Sequence, residues 1–227
     1  MVKKAFIIII GFIVIITAIA GSLDYSNPAE SVTLGSDYRG NVTKDVYNNE
    51  KSETKVAVIT GIHPRETLSI NTTSNVVKNY AQSHDVEIIH YRIMVKENHD
   101  YVRSGRSKGE GLAADYIISD VAKSDYDLVI ICHDHKPGYG EGFYIATPLM
   151  DAKSVELGEK IDKALPDFRY CPSDANPRKK GSSTEIFTKP LAKTGHPTFV
   201  YEIPEWSKYS EAYNMTYTLI DVCYKLL

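Results

Sequence analysis

The chain has 227 residues, of which 43% are hydrophobic and 24% charged, and these ordinary globular proportions exclude a wholly disordered protein. Its net charge of −3, which falls to −5 without Lys3 and Lys4, carries no basic excess and excludes nucleic acid as the expected partner. Three cysteines are too few for a small disulfide scaffold; Cys132 closes an apolar run and reads as a buried hydrophobe, so Cys171 with Cys223 is the one pair to consider for a bridge.

The chain opens Met1-Val-Lys3-Lys4 and continues from Ala5 to Ala20 without a charge, ending Ala18-Ile19-Ala20. A basic start, an apolar stretch without a polar face and a small-residue ending predict an export leader over residues 1–23, either a signal peptide or a transmembrane anchor. Either outcome puts the rest of the chain outside the cytoplasm, anchored in the membrane or secreted. Residues 24–53, rich in Ser, Asn, Asp and Gly, read as a flexible spacer, and residues 54–227 as the folded domain.

Within that domain Lys55–Thr60 is a short β-branched run closed by Gly61, followed by helical periodicity from Leu68 to Ser83. Val86–Ile93 reads as a second strand, Gly111–Ser124 as a second helix, and Asp127–Cys132 as a third strand, apolar enough to lie at the centre of a sheet. Gly142–Thr147 is a further strand, Asp151–Ala164 a helix, Asp167–Ser183 a long surface loop, Pro197–Ile203 a late strand, and a last helix starts at Ser207. This alternation predicts an α/β fold, helices on both faces of one mixed sheet, preceded by the hydrophobic N-terminal helix.

Chemistry concentrates where strands end. Gly61-Ile-His63-Pro-Arg65-Glu66 follows the first strand, at the edge where open α/β sheets collect ligands. A His and a Glu three apart can turn a nitrogen and a carboxylate to one point, and zinc in a catalytic site takes three such ligands and keeps a position open. The central strand runs straight into His133-Asp134-His135, so a third ligand is available there; His133, first after the apolar run, is preferred to His135. Glu202 interrupts the buried pattern of the late strand, where a carboxylate is costly unless it works, and is the candidate general base, with Glu205 as fallback. The glycine-rich Lys136–Gly142 lacks the phosphate-binding spacing and reads as a rim whose Tyr139 can touch substrate. Gly105-Arg-Ser-Lys-Gly109 formally matches a serine nucleophile elbow but lies too far past the preceding strand.

In order and location these motifs resemble the zinc carboxypeptidases and their relatives, the succinylglutamate desuccinylase and aspartoacylase group, over residues 54–225. The resemblance implies a three-layer α/β/α fold with a mostly parallel sheet, a Zn2+ cofactor on His63, Glu66 and His133, and amide hydrolysis with Glu202 as general base. It also implies arginines that hold a substrate carboxylate or oxyanion: Arg65 within the first motif, and Arg103 and Arg106 in the loop before the third ligand, Arg106 acting at the reacting carbonyl. The family's Asn-Arg pair does not occur in this sequence. Expected substrates are a peptide, a cell-envelope peptide or an N-acyl amino acid. A binding module on the same fold, with a structural or decayed metal site, is the alternative.

Overall fold

A computed structural model describes residues 27–48, 52–96, 102–172 and 182–227. The leader expected over residues 1–23 lies outside them. Among the described residues no helix is long and apolar enough to cross a membrane.

One mixed sheet of eight strands, in the order β1-β2-β4-β3-β5-β8-β6-β7, organises the molecule. Its centre is β3 (Lys55–Thr60) and β5 (Leu128–His135), both parallel to their neighbours β4 (Glu87–Val95) and β8 (Thr198–Pro204). Side chains of β3 and β5 are buried on both faces, which explains their continuous apolar runs. Beyond β8 lie β6 (Tyr144–Thr147), antiparallel to it, and β7 (Arg169–Pro172), parallel to β6.

Helices cover both faces. On one side α1 (Thr67–Ser83), α4 (Ala152–Ala164) and α6 (Tyr209–Leu226) close a core around Val58, Ile130, Phe199 and Tyr201. On the other, α2 (Val102–Leu112) passes through a π-helical turn, Ala113–Ile117, into α3 (Ile118–Val121). With α5 (Lys189–Ala192), it buries Ile59, Tyr91, Ile131 and Phe187. The three-layer arrangement expected from the alternation is present. Chain direction across the sheet reverses between β3 and β5, because the chain moves from β3 outward to β4 and then crosses back to β5; such a switch point opens a crevice at the carboxyl ends of the strands.

Four expectations need correction. The stretch read as a spacer contains β1 (Glu30–Asp37) and β2 (Gly40–Asn48), a hairpin that extends the sheet by pairing with β4, so the folded domain starts before residue 54. Its outer strand is mostly exposed and polar, which hides it from a search for apolar runs. The second helix starts at Val102 and not at Gly111, despite its glycines. Gly105 and Gly109 share the face that approaches residues 62–64: a Cβ at Gly109 would collide with the Ile62 carbonyl, and one at Gly105 would press on the Pro64 ring. Close approach, not helix propensity, selects glycine there.

The loop expected over 167–183 contains β7, and a π-helical turn at Thr184–Thr188 leads into α5 immediately after it. Finally, all three cysteines are free thiols: Cys223 is packed in the core inside α6, and Cys171 stands on β7 at the sheet edge.

Candidate metal centre

The first motif forms a tight turn after β3. Gly61 has φ 87°, and a Cβ there would strike the Ile93 carbonyl, so this residue must be glycine for the chain to leave the sheet beside β4. Pro64 then occupies the turn, which the Glu66 N–H closes by donating to the His63 carbonyl at 3.0 Å. That closure is why a three-residue spacing brings the two side chains together.

Glu66 stands at the N-cap of α1, but its carboxylate makes no capping bond. It turns instead to the two histidines: Oε1 lies 2.7 Å from His63 Nδ1, and Oε2 lies 2.7 Å from His133 Nδ1. Ring centroids of His63 and His133 are 4.7 Å apart, and one donor atom from each of the three residues lies within 4.8 Å of the others. His135, the alternative third ligand, is engaged elsewhere. Its Nε2–H donates to the Gly142 carbonyl at 2.9 Å, and its ring packs against Tyr144 and Trp206 at 5.2 Å each.

The donor set fits a metal ion: two imidazole nitrogens and one carboxylate that offers a separate oxygen to each, all near the carboxyl ends of β3 and β5. The far side of His63 supports the same orientation. Its Nε2 lies 3.2 Å from Oε1 of Glu110, a fully buried carboxylate that also accepts a 2.7 Å bond from the Ser182 hydroxyl. With a metal ion bound, an acceptor at Nε2 would keep the proton there and free Nδ1 for the ion, the usual arrangement behind a ligating imidazole. Glu110 is a site residue that the sequence does not disclose, since it lies between two glycines in a polar stretch with no visible periodicity.

Electrostatics follow from this packing. Burial disfavours the charged form of His63, but Glu110 and Glu66 outweigh it and raise its pKa. Burial would raise the Glu66 carboxyl too, yet the charge and hydrogen bond of His133, together with those of His63, hold it down at about 2. Glu202 behaves in the opposite way. It is partly buried on β8, paired in register with His133 on β5, and it titrates at about 7: desolvation pushes it up, with Glu66 and Asp134 adding to the effect of burial against the pull of His133 and Arg106.

The arginines separate. Arg106, on α2, brings Nη1 to 3.8 Å from Glu66 Oε1 with 43% of its side chain exposed, so it combines contact with the cluster and access to solvent. Arg65 is exposed and forms no ion pair among the described residues. The Arg103 side chain lies outside the described residues. Tyr139 is 50% exposed on the rim between β5 and β6. The formal Gly-x-Ser-x-Gly match falls inside α2, with no strand-to-helix elbow.

No protein-family model matches the sequence, and no curated protein does. Solved structures match the fold. The chain is similar to a metallo-carboxypeptidase from Burkholderia cenocepacia, with TM-score 0.60 and 13% identity over 87% of this chain and 65% of that one. It is also similar to a putative carboxypeptidase from Burkholderia mallei, with TM-score 0.59 and 14% identity over 87% and 64%. A third likeness is to a D,L-carboxypeptidase of Helicobacter pylori in its mDAP-bound form, with TM-score 0.51 and 11% identity over 80% and 54%. The chain thus spans less than two thirds of the length of these proteins, and at such identities the likeness is one of fold. Its fold is metallo-carboxypeptidase-like.

Proposed function

We propose that the protein is a zinc-dependent hydrolase that cleaves an amide bond, with His63, Glu66 and His133 as metal ligands and Glu202 as general base. The observation that carries this reading is the pair of 2.7 Å contacts from the two oxygens of Glu66 to the Nδ1 atoms of His63 and His133. A zinc ion held there supplies a Lewis acid that polarises a carbonyl and eases deprotonation of water.

The chain's own groups do the rest. Glu202, with its pKa raised to about 7, is suited to take a proton from the attacking water and hand it to the leaving amine near neutral pH. Arg106, at the edge of the cluster, steadies a developing oxyanion or a substrate carboxylate, and Arg65, Arg103 and Tyr139 are candidates to line the approach. Substrates of the peptide class are favoured by the fold, because the proteins that share it include carboxypeptidases, one of them in complex with a tripeptide. An N-acyl amino acid is the second class, favoured by the absence of an Asn-Arg pair. The basic, then apolar start of the chain supports a membrane-anchored or secreted location outside the cytoplasm, where a cell-envelope peptide is an available substrate.

Metal content tests the reading directly. Full-length protein purified in detergent without chelator is expected to carry about one zinc per chain, and a His63→Ala, Glu66→Ala double variant to carry none. Hydrolysis of peptides or N-acyl amino acids that Glu202→Gln abolishes would complete the case. Metal bound without any such hydrolysis would instead identify a binding module, and no metal in the wild-type protein would overturn the proposal.

A further inference from the structure

Helix α1 begins with its capping problem unsolved by its own N-cap residue. The first backbone N–H groups of a helix have no partner within it, and the residue at the N-cap ordinarily supplies one from its side chain. Glu66 holds that position with its carboxylate turned away to His63 and His133. Asp134 takes its place from another element. Its Oδ2 accepts the Leu68 N–H at 3.0 Å and its Oδ1 accepts the Ser69 N–H at 2.7 Å, although it lies on β5, 66 and 65 residues away in sequence.

Asp134 directly follows His133. Consecutive strand residues face opposite sides of the sheet, so the two side chains straddle the end of β5. The core residues confirm the alternation: Cys132 belongs to the α1 side and Ile131 to the α2 side. His133 meets the Glu66 carboxylate on one side while Asp134 grips the backbone two and three residues after Glu66 on the other. The turn carrying Glu66 and the strand end carrying His133 are therefore joined twice, and the second joint uses no metal-binding atom.

We infer that Asp134 is a positioning residue for the metal centre: by capping α1 from β5 it fixes the separation between the Glu66 carboxylate and the His133 ring. This rests on the metal reading above. A bidentate carboxylate on two adjacent backbone N–H groups allows little sliding of α1 along the strand, and bound metal demands ligands placed within a few tenths of an ångström. In its absence Glu66 is also the only carboxylate of the cluster near those N–H groups, and it is drawn to serve as the cap that its position favours, away from the histidines.

The test compares zinc affinity, by competition with a chromophoric chelator, with thermal stability in full-length protein. Asp134→Ala is expected to weaken zinc binding by about 10- to 100-fold at a temperature where it is fully folded, the range typical of outer-shell carboxylates. Asp134→Asn, which keeps one acceptor, should fall between it and the wild type and guards against a misfolded alanine variant. Asp151→Ala is the control. Asp151 caps α4 by accepting the Ser154 N–H at 2.9 Å, so its loss should lower the melting temperature comparably and leave zinc affinity unchanged. Equal zinc affinity in wild type and both Asp134 variants would overturn the inference while the metal reading stands. Failure of the wild type itself to bind zinc would overturn both.

Discussion

Glu202 and His133 are paired in register across β8 and β5, on the face of the sheet that also carries Ile131 and Val200. The proposed general base and one of the proposed metal ligands are thus held by the backbone ladder itself, one strand spacing apart. Replacing Glu202 with Gln keeps this register and nearly the same volume while removing the proton acceptor. The expected result is a loss of hydrolysis by a factor of about 10² to 10⁴ with zinc content unchanged, read by product formation and metal analysis on the same sample.

Chelation has a separate signature. His63, Glu66, Glu110 and His133 belong to neither hydrophobic core, so removal of metal should leave the protein folded. Melting temperature is nonetheless expected to rise when zinc is restored, because an ion that binds only the folded state stabilises it by mass action. A His63→Ala variant should show no such rise in a calorimetric or fluorescence melt.

His90 sets an acid limit on stability. It is fully buried on β4, bonded to the Thr60 hydroxyl at 2.9 Å, and burial, aided by Arg92 against Asp45, lowers its pKa from 6.5 to about 3. Below pH 6.5 the unfolded chain takes up a proton that the folded protein refuses, so stability falls as pH drops toward 3. The contribution of one such group is a slope of up to about 1.4 kcal/mol per pH unit. Urea midpoints measured across that window should show the slope, and His90→Gln should flatten it.

Gly109→Ala is a test of close packing. The added methyl would meet the Ile62 carbonyl, which forces α2 away from the turn that holds His63 and draws Glu110 with it. A loss of about 1–3 kcal/mol in folding stability is expected, typical of overpacking. Weaker zinc binding should accompany it, as read by denaturant unfolding and chelator competition.

Trp206 is the sole tryptophan of the chain, 53% exposed and edge-on to His135, which stands two residues beyond His133 on β5. Its emission should shift to shorter wavelength when a substrate analogue covers the strand ends on that side. Titration of peptides and N-acyl amino acids against this signal in the Glu202→Gln variant measures binding without turnover.

Much of the fold is legible in the sequence wherever burial is decisive. Runs such as Val56–Ile59 and Leu128–Cys132 leave no alternative to central strands, and the helical periods of α1, α4 and α6 follow the core face they cover. The three cluster residues are legible for a related reason, since His63 and Glu66 lie in the turn that leaves β3 and His133 lies near the end of β5. The hairpin of β1 and β2 is not, because its outer strand is largely solvated and its support comes from pairing with β4. Glu110 and Asp134 are hidden by distance: their partners, His63 on one hand and Leu68 and Ser69 on the other, lie 47 to 66 residues away, and only the crossover of α2 and the docking of α1 against β5 bring them together.

The separation of Glu66 from His133, 67 residues, also bears on how the molecule assembles. Capture of the proposed metal ion would need β3 and β5 already side by side with the whole β4 and α2 excursion folded between them, and such long loop closures come late and slowly. During refolding, uptake of an ion should therefore lag behind the growth of helical signal, so that the ion acts as a clock for completion of the central sheet.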